Sequence, residues 1–286
     1  MKILTYNIAL LDFKILGFKI LRPTRYIGTR LKAIPNAVKE LKADIICFQE
    51  VYKKSHKLKL KKELASDFPY SYFKKTTVLI GFDNGLIVFS KHPIEHTHFE
   101  NLLSQPFEER LLTRKGLIGI CVTVNDRKYF ITNTHTTASG SGFQQDNARI
   151  EALRDSQINQ ITKTTDTFSK KFNCDVALIC GDFNCGPQVS ESNYSLLSYK
   201  NYIDTYRLSN KDEHPTWDPE NVLNQDSPVF KSSPKQRIDF ILCNKSSIGI
   251  FNQITSNIIF IDPVLTVQDN KKIPLSDHYG VIAKFD

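Results

Sequence analysis

The sequence lacks the features that mark membrane-spanning, disulfide-stapled and zinc-binding proteins. No apolar run approaches the roughly 20 residues that a helix needs to cross a bilayer. The six cysteines form no CxxC pair, and most of them lie inside apolar runs such as "IICF" and "ILCN". Buried, reduced thiols therefore fit the pattern better than a disulfide framework or a zinc site does.

The first residues do not have the pattern of a cleavable export signal. The apolar start "MKILTYNIALL" is followed at once by Asp12 and Lys14, and no small-residue cleavage site comes after it. We expect this start to form a strand of the fold. We also expect the protein to be cytoplasmic, or to be exported without a cleaved signal.

Acidic residues are too few to balance the basic ones, which leaves a formal net charge of +8 at pH 7. Such an excess indicates an acidic partner, either nucleic acid or an anionic membrane surface. Residues 53–62, "KKSHKLKLKK", concentrate part of this charge. Because lysine-rich runs are most often solvated faces, this run does not choose between the two partners.

The chain contains no internal repeat, low-complexity tract or flexible linker that would divide it, so we expect a single mixed α/β domain over residues 1–286. An apolar helical stripe runs from Ile27 to Leu41, although Pro35 should kink it, and a second runs from Gln144 to about Phe168. Strand-like segments recur around these helices. They are "KILTYNIA", "DIICFQ", "GLIVFS", "GLIGICVTV", "KYFITNTH", "DVALIC", "RIDFILC" and "GVIAKF".

The stretch "LICGDFNCGP", residues 178–187, places an acid and an amide two positions apart directly after an apolar run. Side chains two apart on a strand point to the same side, so Asp182 and Asn184 can converge on one ligand. An Asx-rich turn explains the same two residues, because Asp and Asn favour turns. This fragment alone does not choose between a ligand site and a turn.

Acids, amides and histidines recur at or beside the ends of the other predicted strands, where the active sites of layered α/β folds collect. Each has a structural explanation when it is taken alone, but their joint appearance indicates a site. The residues are Asn7, Glu50, His135, Asp182, Asn184, Asp239, Asp277 and His278.

This residue set suits magnesium-dependent hydrolysis of a phosphodiester. One strand-end carboxylate with amide and water ligands suits Mg²⁺, with Mn²⁺ as a substitute, whereas no two histidines stand at zinc-ligand spacing with a cysteine or an acid. A His–Asp pair can deprotonate the attacking water. Cationic and amide donors can then hold the charge that develops on the phosphoryl oxygens.

Six motifs, in this order along the chain, resemble those of the endonuclease/exonuclease/phosphatase superfamily. They are "TYN" (5–7), "FQEVY" (48–52), "NTH" (133–135), "GDFN" (181–184), "RIDF" (237–240) and "SDH" (276–278). The resemblance covers almost the whole chain. It implies the fold of deoxyribonuclease I, a four-layer α/β/β/α sandwich in which two packed mixed β-sheets are flanked by helices.

The same resemblance implies which residues bind the metal and which activate water. Glu50 binds Mg²⁺, with Asn7 in or next to the metal's shell. Asp277 is a second metal contact or a structural acid. His278 is the general base for the attacking water, and Asp239 orients it.

The remaining matched positions are implied to serve the phosphate and the rest of the substrate. Asp182 and Asn184 position the water and the phosphate. His135 stabilises the pentavalent phosphorane or assists the leaving oxygen. Lys115 and Trp217, which lie in "TRKG" and "PTWD", are expected to contact the substrate together with Asn184.

Secondary motifs are similar to those of neutral sphingomyelinases, namely "PTWDPENVLN" (215–224), "TRKGLIGICV" (113–122) and "FSKHPI" (89–94). They imply a monomeric enzyme that hydrolyses sphingomyelin to ceramide and phosphocholine on an anionic phospholipid membrane surface. A Thr-Trp-Asp segment also occurs in tyrosyl-DNA phosphodiesterases, so a nuclease or DNA-repair phosphodiesterase that acts on nucleic acid is the alternative. A binding module that has lost activity is the third possibility, and the intact site residues argue against it.

The segment Leu10–Leu21 mixes large apolar residues with two lysines, a composition that suits the water–lipid interface. It follows the strand that carries Asn7, so it should lie near the mouth of the site. A core-packed element explains the same composition. Exposure of the segment would favour the lipid-binding interpretation.

Overall fold

The computed structural model describes residues 1–11, 13–15, 18–21, 24–74, 83–138, 148–225 and 233–286. Its strands are β1 (Lys2–Asn7), β2 (Phe13–Ile15), β3 (Phe18–Leu21), β4 (Ile45–Gln49), β5 (Tyr70–Tyr72), β6 (Ile87–Ser90), β7 (Ile94–Asn101), β8 (Gly116–Val124), β9 (Arg127–His135), β10 (Val176–Asp182), β11 (Tyr202–Asp204), β12 (Asp239–Asn244), β13 (Ile254–Ile259), β14 (Leu265–Thr266), β15 (Lys272–Ile273) and β16 (Gly280–Phe285). Its helices are α1 (Ile27–Glu40), α2 (Lys54–Leu64), α3 (Phe107–Leu112), α4 (Ala148–Lys171), α5 (Glu191–Tyr199), α6 (Thr205–Ser209) and α7 (Lys245–Ile248), with a 3₁₀ turn at Gln268–Asn270.

Two six-stranded mixed sheets form the centre of the fold. We call them sheet I, in the order β13-β16-β1-β4-β6-β5, and sheet II, in the order β11-β12-β10-β9-β8-β7. The pairs β1–β4 and β9–β10 are parallel and the other pairs are antiparallel. Each parallel pair is bridged by a long helical crossover, as parallel strands require.

The two sheets pack face to face through one shared apolar core. Inward residues of sheet I such as Ile3, Ile45 and Val281 meet inward residues of sheet II such as Ile120 and Leu178. Every one of these side chains is at most 2% exposed. Burial of each contributes about 1.5–3 kcal/mol, so this layer is a major source of the fold's stability.

Helices cover the outer face of each sheet. On sheet I, Leu31 and Ile34 of α1 and Leu60 of α2 pack against strand residues such as Ile46. On sheet II, the apolar stripe of α4 packs against β10 and β12, with Ile158 and Ile161 as its centre. The three apolar layers therefore separate helix, sheet, sheet and helix, which confirms the four-layer sandwich expected from the sequence.

The predicted elements agree with the structure in position and differ in detail at their ends. Strands β8 and β16 match their predicted bounds, whereas β10 continues to Asp182, two residues beyond the predicted run that ended at Cys180. Helix α1 continues through Pro35, which lies inside it. The predicted second helix extends to Lys171, and its expected start at residues 144–147 lies outside the described residues.

Three other expectations concern the segment Leu10–Leu21, the cysteines and membrane-spanning helices. Leu10 and Leu11 are buried, and residues 13–15 and 18–21 pair as the hairpin β2–β3. The side chains of residues 12–21 lie outside the described residues, so the structure does not choose between an exposed and a core-packed segment there. All six cysteines are free thiols. No helix among the described residues is long and apolar enough to cross a membrane.

Candidate active site

Polar side chains replace apolar ones where the inward-facing rows of both sheets reach the same edge. Alternate residues of a strand share a face, so a site residue can continue a row that packs the core. The rows are Val176, Leu178, Cys180 and then Asp182 on β10; Cys243, Ile241 and then Asp239 on β12; Tyr129, Ile131, Asn133 and then His135 on β9; and Ile3, Thr5 and then Asn7 on β1. The site therefore opens at the end of the layer between the sheets.

Strand register places three of the predicted residues side by side. Asp182 pairs with His135 on one neighbouring strand and with Asp239 on the other. Paired residues on adjacent strands point to the same face. The His135 Nε2 atom accordingly lies 3.5 Å from Asp182 Oδ2. These three side chains are at most 3% exposed, so their charges act with little screening by water.

His278 and Asp239 form a hydrogen-bonded pair. The distance from His278 Nδ1 to Asp239 Oδ2 is 3.0 Å, and His278 Nε2 lies 3.8 Å from Asp182 Oδ2. Burial disfavours the charged imidazole, but the carboxylates of Asp239 and Asp182 outweigh burial and raise the pKa of His278 well above its usual value. His278 is thus the more basic histidine of the site.

His135 has the opposite electrostatic character. Burial, reinforced by the positive charge of Lys115, lowers the pKa of His135 to about 3. The imidazole therefore stays neutral at physiological pH. A neutral ring can donate a hydrogen bond without adding a charge.

Glu50 reaches the site because the chain turns sharply after β4. Gln49 points between the sheets, so a continued strand would direct Glu50 to the outer face, but Glu50 has a left-handed φ of 60°. Its Oε1 lies 3.3 Å from Asn7 Nδ2. Burial and the nearby negative charge of Asp277 raise the pKa of Glu50 to about 7. This carboxylate is therefore short of positive neighbours.

The "GDFN" stretch forms an Asx turn, and its acid also faces other predicted site residues. Asp182 Oδ1 accepts a 2.9 Å hydrogen bond from the backbone N–H of Asn184, which is an Asx turn. Asp182 Oδ2, the second carboxylate oxygen, faces His135 and accepts a 2.8 Å hydrogen bond from Asn7 Nδ2. One carboxylate thus fixes the turn through one oxygen and contacts Asn7 and His135 through the other.

Lys115 is buried beside the site and is held by residues that the sequence did not predict. Its Nζ donates to the backbone oxygen of Thr136 and lies 3.4 Å from Glu109 Oε1. Glu109 Oε2 also accepts a 2.7 Å hydrogen bond from Thr137 Oγ1. Asn184 Nδ2 donates to the same Thr136 oxygen at 3.1 Å, so Lys115 and Asn184 share one anchor.

Two further predicted residues lie around His278. Trp217 is 8% exposed and forms a backbone bridge with His278. Asp277 precedes His278, and its Oδ1 accepts a 3.2 Å hydrogen bond from Ser276 Oγ. Ser276 also donates to the backbone oxygen of Asn7 at 2.8 Å. Ser276, the first residue of the "SDH" motif, thus connects this loop to β1.

A second group of donor atoms could also hold an ion. Among the described residues, Asp182, Asp239 and His278 place one ligand atom each within 4.8 Å of one another. This group differs from the predicted set of Glu50, Asn7 and Asp277. The hydrogen bond between His278 Nδ1 and Asp239 Oδ2 occupies one potential ligand atom of each residue.

The chain is similar in sequence to a sphingomyelin phosphodiesterase. Sphingomyelin phosphodiesterase 2 of Homo sapiens is 21% identical over 267 residues, which cover 91% of this chain and 60% of the human protein. The chain therefore spans less than two thirds of that relative's length.

Solved structures share the fold over essentially the whole chain. Sphingomyelinase C from Streptomyces griseocarneus has a TM-score of 0.77 at 20% identity and covers 100% of this chain and 99% of its own. A beta toxin variant from Staphylococcus aureus with bound magnesium ions has a TM-score of 0.75 at 18% identity, with 100% and 99% covered. Truncated TDP2 from Caenorhabditis elegans has a TM-score of 0.70 at 17% identity, with 99% and 96% covered.

The match to a family of enzymes spans the whole site. The sequence model described as "Endonuclease/Exonuclease/phosphatase family" matches residues 4–278, an interval that contains every residue of the site from Asn7 to His278. Together with the two-sheet fold, this match shows that the chain belongs to the endonuclease/exonuclease/phosphatase family.

Proposed function

We propose that this chain is a Mg²⁺-dependent phosphodiesterase that hydrolyses sphingomyelin to ceramide and phosphocholine. The observation that carries the reaction class is the arrangement of the Asp239–His278 pair around Asp182, with Glu50 on the other side of Asn7. The likeness to sphingomyelinases and the motifs "PTWDPENVLN" and "TRKG" support the lipid substrate.

The Glu50 side of the site fits a divalent cation. Its pKa near 7 reflects a buried carboxylate close to the charges of Asp277 and Asp182, and a cation would remove that penalty. The carboxylates of Glu50 and Asp277 are oxygen ligands that suit Mg²⁺, and we assign them to hold the ion. Asn7 lies next to them as a positioning residue, because its Nδ2 faces Glu50 while its Oδ1 accepts a 3.1 Å hydrogen bond from the backbone N–H of Ala9. When bound, Mg²⁺ supplies Lewis acidity at the phosphoryl oxygens.

His278 is proposed to take the proton from the attacking water. Asp239 accepts the hydrogen bond at Nδ1, so Nε2 is the atom that faces the Asp182 carboxylate and the site. The two acids stabilise the imidazolium that forms. Because they also raise the pKa of His278, the neutral fraction of the ring is the form that acts as the base. Asp182 is proposed to orient the attacking water toward His278.

His135, Lys115 and Asn184 are proposed to serve the phosphate. Neutral His135 can donate to an oxygen without competing for the proton that His278 removes. Lys115 supplies a buried positive charge, and its anchor at Thr136 places it next to Asn184. Donors fixed before the reaction stabilise the developing negative charge most effectively.

A nuclease or DNA-repair phosphodiesterase is the second candidate. The likeness to TDP2 and the net charge of +8 favour it, because phosphate neutralisation by lysine and arginine gives affinity for nucleic acid. Sphingomyelin is zwitterionic, so in the lipid interpretation the charge would instead hold the enzyme on anionic lipids around the substrate.

One experiment separates the two candidates. Purified protein with Mg²⁺ is given sphingomyelin vesicles, with and without phosphatidylserine, and supercoiled plasmid, each at low and high salt because screening weakens both kinds of charge contact. We expect phosphocholine release, faster with phosphatidylserine, and slow or no nicking. Rapid nicking that Glu50→Gln abolishes, with no phosphocholine released, would overturn the lipid assignment.

A further inference from the structure

Two large apolar side chains are exposed on the connection between β7 and β8. Leu103 is 80% exposed, and Phe107, the first residue of α3, is 63% exposed. Single exposed apolar residues are common on soluble proteins, but a pair within five positions of one short connection is a candidate contact surface.

This connection is tied to the active site by direct hydrogen bonds. Leu102 N donates to the backbone oxygen of Lys115 at 2.9 Å, and Gln105 Nε2 donates to the same oxygen at 3.0 Å. Lys115 in turn donates to Thr136, which also anchors Asn184. The exposed pair therefore has a fixed position beside the edge where the site opens.

The described charged side chains of α3 and of the residues after it lie on two sides of the helix. Glu109 points inward to Lys115 and Thr137. Arg110 is exposed and lies 5.8 Å over the Phe107 ring, and Arg114 is exposed directly after the helix. Within the part of the chain that the structure describes, neither guanidinium forms an ion pair. Among the described side chains, the outer side thus combines apolar groups with two arginines that form no ion pair.

We propose that Leu103, Phe107, Arg110 and Arg114 form a docking surface for a phospholipid bilayer that contains anionic lipid. The apolar pair enters the boundary between headgroups and acyl chains, while the two guanidinium groups contact lipid phosphates. Docking in this position turns the open edge of the site toward the lipid. The inference rests on the proposed lipid phosphodiesterase function, whereas its test requires no hydrolysis.

Other occupants fit this surface less well. Nucleic acid would use the two arginines but would leave Leu103 exposed to water. A second copy of the chain would bring two pairs of arginines together. A bilayer satisfies the apolar and the charged groups at once.

The test measures binding to vesicles that contain no sphingomyelin, made of phosphatidylcholine with or without phosphatidylserine. The double variant Leu103→Ser/Phe107→Ser should partition about tenfold or more weakly, because it removes the two large apolar side chains that would be buried in the bilayer. Arg110→Gln/Arg114→Gln should weaken binding only when phosphatidylserine is present, and high salt should reproduce that loss.

Tyr199→Ser is the matched control. Tyr199 is 83% exposed but precedes Tyr202, which pairs with Asn244 at the end of β12 opposite Asp239. It should bind vesicles like the wild type. Equal unfolding midpoints for the wild type and the three variants would show that the loss of binding does not come from misfolding.

A second measurement does not depend on losing an interaction. Cys174 is the half-buried cysteine among five buried ones, so a Cys174→Ser background permits labelling of Leu103→Cys with an environment-sensitive dye. The dye should shift to shorter wavelength on vesicles containing phosphatidylserine, and the same dye at Tyr199→Cys should not.

Three results would overturn the inference. The first is vesicle binding by Leu103→Ser/Phe107→Ser that equals the wild type's. The second is conversion of a wild-type dimer to a monomer by this variant with vesicle binding intact, which would identify a contact between two copies. The third is loss of plasmid binding by this variant while its vesicle binding stays equal to the wild type's. A protein that docks through this surface without releasing phosphocholine would refute only the proposed substrate.

Discussion

Asn7 on β1 donates a 2.8 Å hydrogen bond from Nδ2 to Oδ2 of Asp182 on β10, and the two residues are 175 positions apart in the chain. The bond joins sheet I to sheet II at the edge where the site opens. The same nitrogen lies 3.3 Å from Glu50 Oε1. A single amide thus holds together the carboxylate assigned to the metal and the carboxylate that faces the two histidines.

The substitution Asn7→Asp should therefore be severe although it barely changes side-chain volume. It removes the donor and adds a third negative charge beside two buried carboxylates, so Glu50 and Asp182 should move apart or take up protons. We expect kcat to fall by about 10²-fold or more, as for loss of a fixed transition-state contact.

Asn257→Asp, the same substitution at an exposed position on β13, serves as the control and should keep wild-type turnover. Steady-state measurement of kcat for both variants tests this expectation. If Asn7→Asp retained more than about a third of wild-type kcat, the bridge would have no catalytic importance.

Glu50 should couple magnesium binding to proton release. Because the pKa of Glu50 is about 7 without a cation, part of the population is protonated near neutrality, and the ion requires the ionised form. Calorimetric titration with Mg²⁺ in two buffers of different ionisation enthalpy should detect up to about one proton released at pH 6 and almost none at pH 8.5.

Glu50→Gln should weaken Mg²⁺ binding, abolish this pH-dependent release and eliminate turnover, whereas Glu63→Gln on the exposed side of α2 should do none of these. Turnover of the wild type that persists in excess EDTA would contradict the metal assignment.

The Asp239–His278 pair should behave as one functional unit. His278→Ala, Asp239→Asn and Asp182→Ala should each lower kcat on the order of 10²-fold or more while circular dichroism stays unchanged. The double variant Asp239→Asn/His278→Ala should be no slower than His278→Ala alone, because Asp239 acts through the histidine.

Exposed His96 provides the control for histidine removal, and His96→Ala should be fully active. Additive losses in the double variant would show that Asp239 contributes independently of His278.

Sequence patterns located the strand ends at which most of the site residues lie, because period-two alternation and short apolar runs have a direct physical origin. Asp182 and His135 were predictable in this way. The anchoring of Lys115 was not, since Glu109 and Thr136 have no signature as partners and meet it only through the fold. The direction of the Glu50 side chain could not be predicted either, because glutamate is not a residue type that indicates a left-handed turn, yet its φ is 60°.

His135 should make the folded state sensitive to acid. Its folded-state pKa of about 3 lies below that of an unfolded histidine, so as pH falls through the unfolded value the unfolded chain takes up a proton that the folded chain does not. This cost lowers the free energy of unfolding by about 2 kcal/mol between pH 7 and pH 5.

The substitution His135→Gln removes that cost, so the variant should lose about 2 kcal/mol less stability than the wild type over the same interval in metal-free buffer. Urea denaturation at each pH gives the two free energies. The same substitution at His96 controls for a general effect, and parallel pH profiles for His135→Gln and the wild type would refute the depressed pKa.

Gly181 should be intolerant of even one added methyl group, because it fixes the position of Asp182. Its φ is +152°, and a Cβ there would lie 2.0 Å from the backbone oxygen of Thr134 on the neighbouring strand. Relief of that overlap requires β10 to separate from β9 at the ladder position directly before the pairing of Asp182 with His135. We therefore expect Gly181→Ala to cost about 2 kcal/mol or more in unfolding free energy.

The activity of Gly181→Ala shows whether the added methyl group displaces Asp182 from its place beside His135 or only lowers the free energy of unfolding. Gly28→Ala in α1 is the control, since no atom lies within 4 Å of its added Cβ and alanine favours a helix, so it should be neutral or stabilised by up to about 1 kcal/mol. Turnover is measured well below both unfolding midpoints, so that each variant is fully folded. Reduced kcat in Gly181→Ala under those conditions means that Asp182 has moved relative to His135 and Asn7. Wild-type kcat with reduced stability would mean that the strand absorbs the methyl group without disturbing the site.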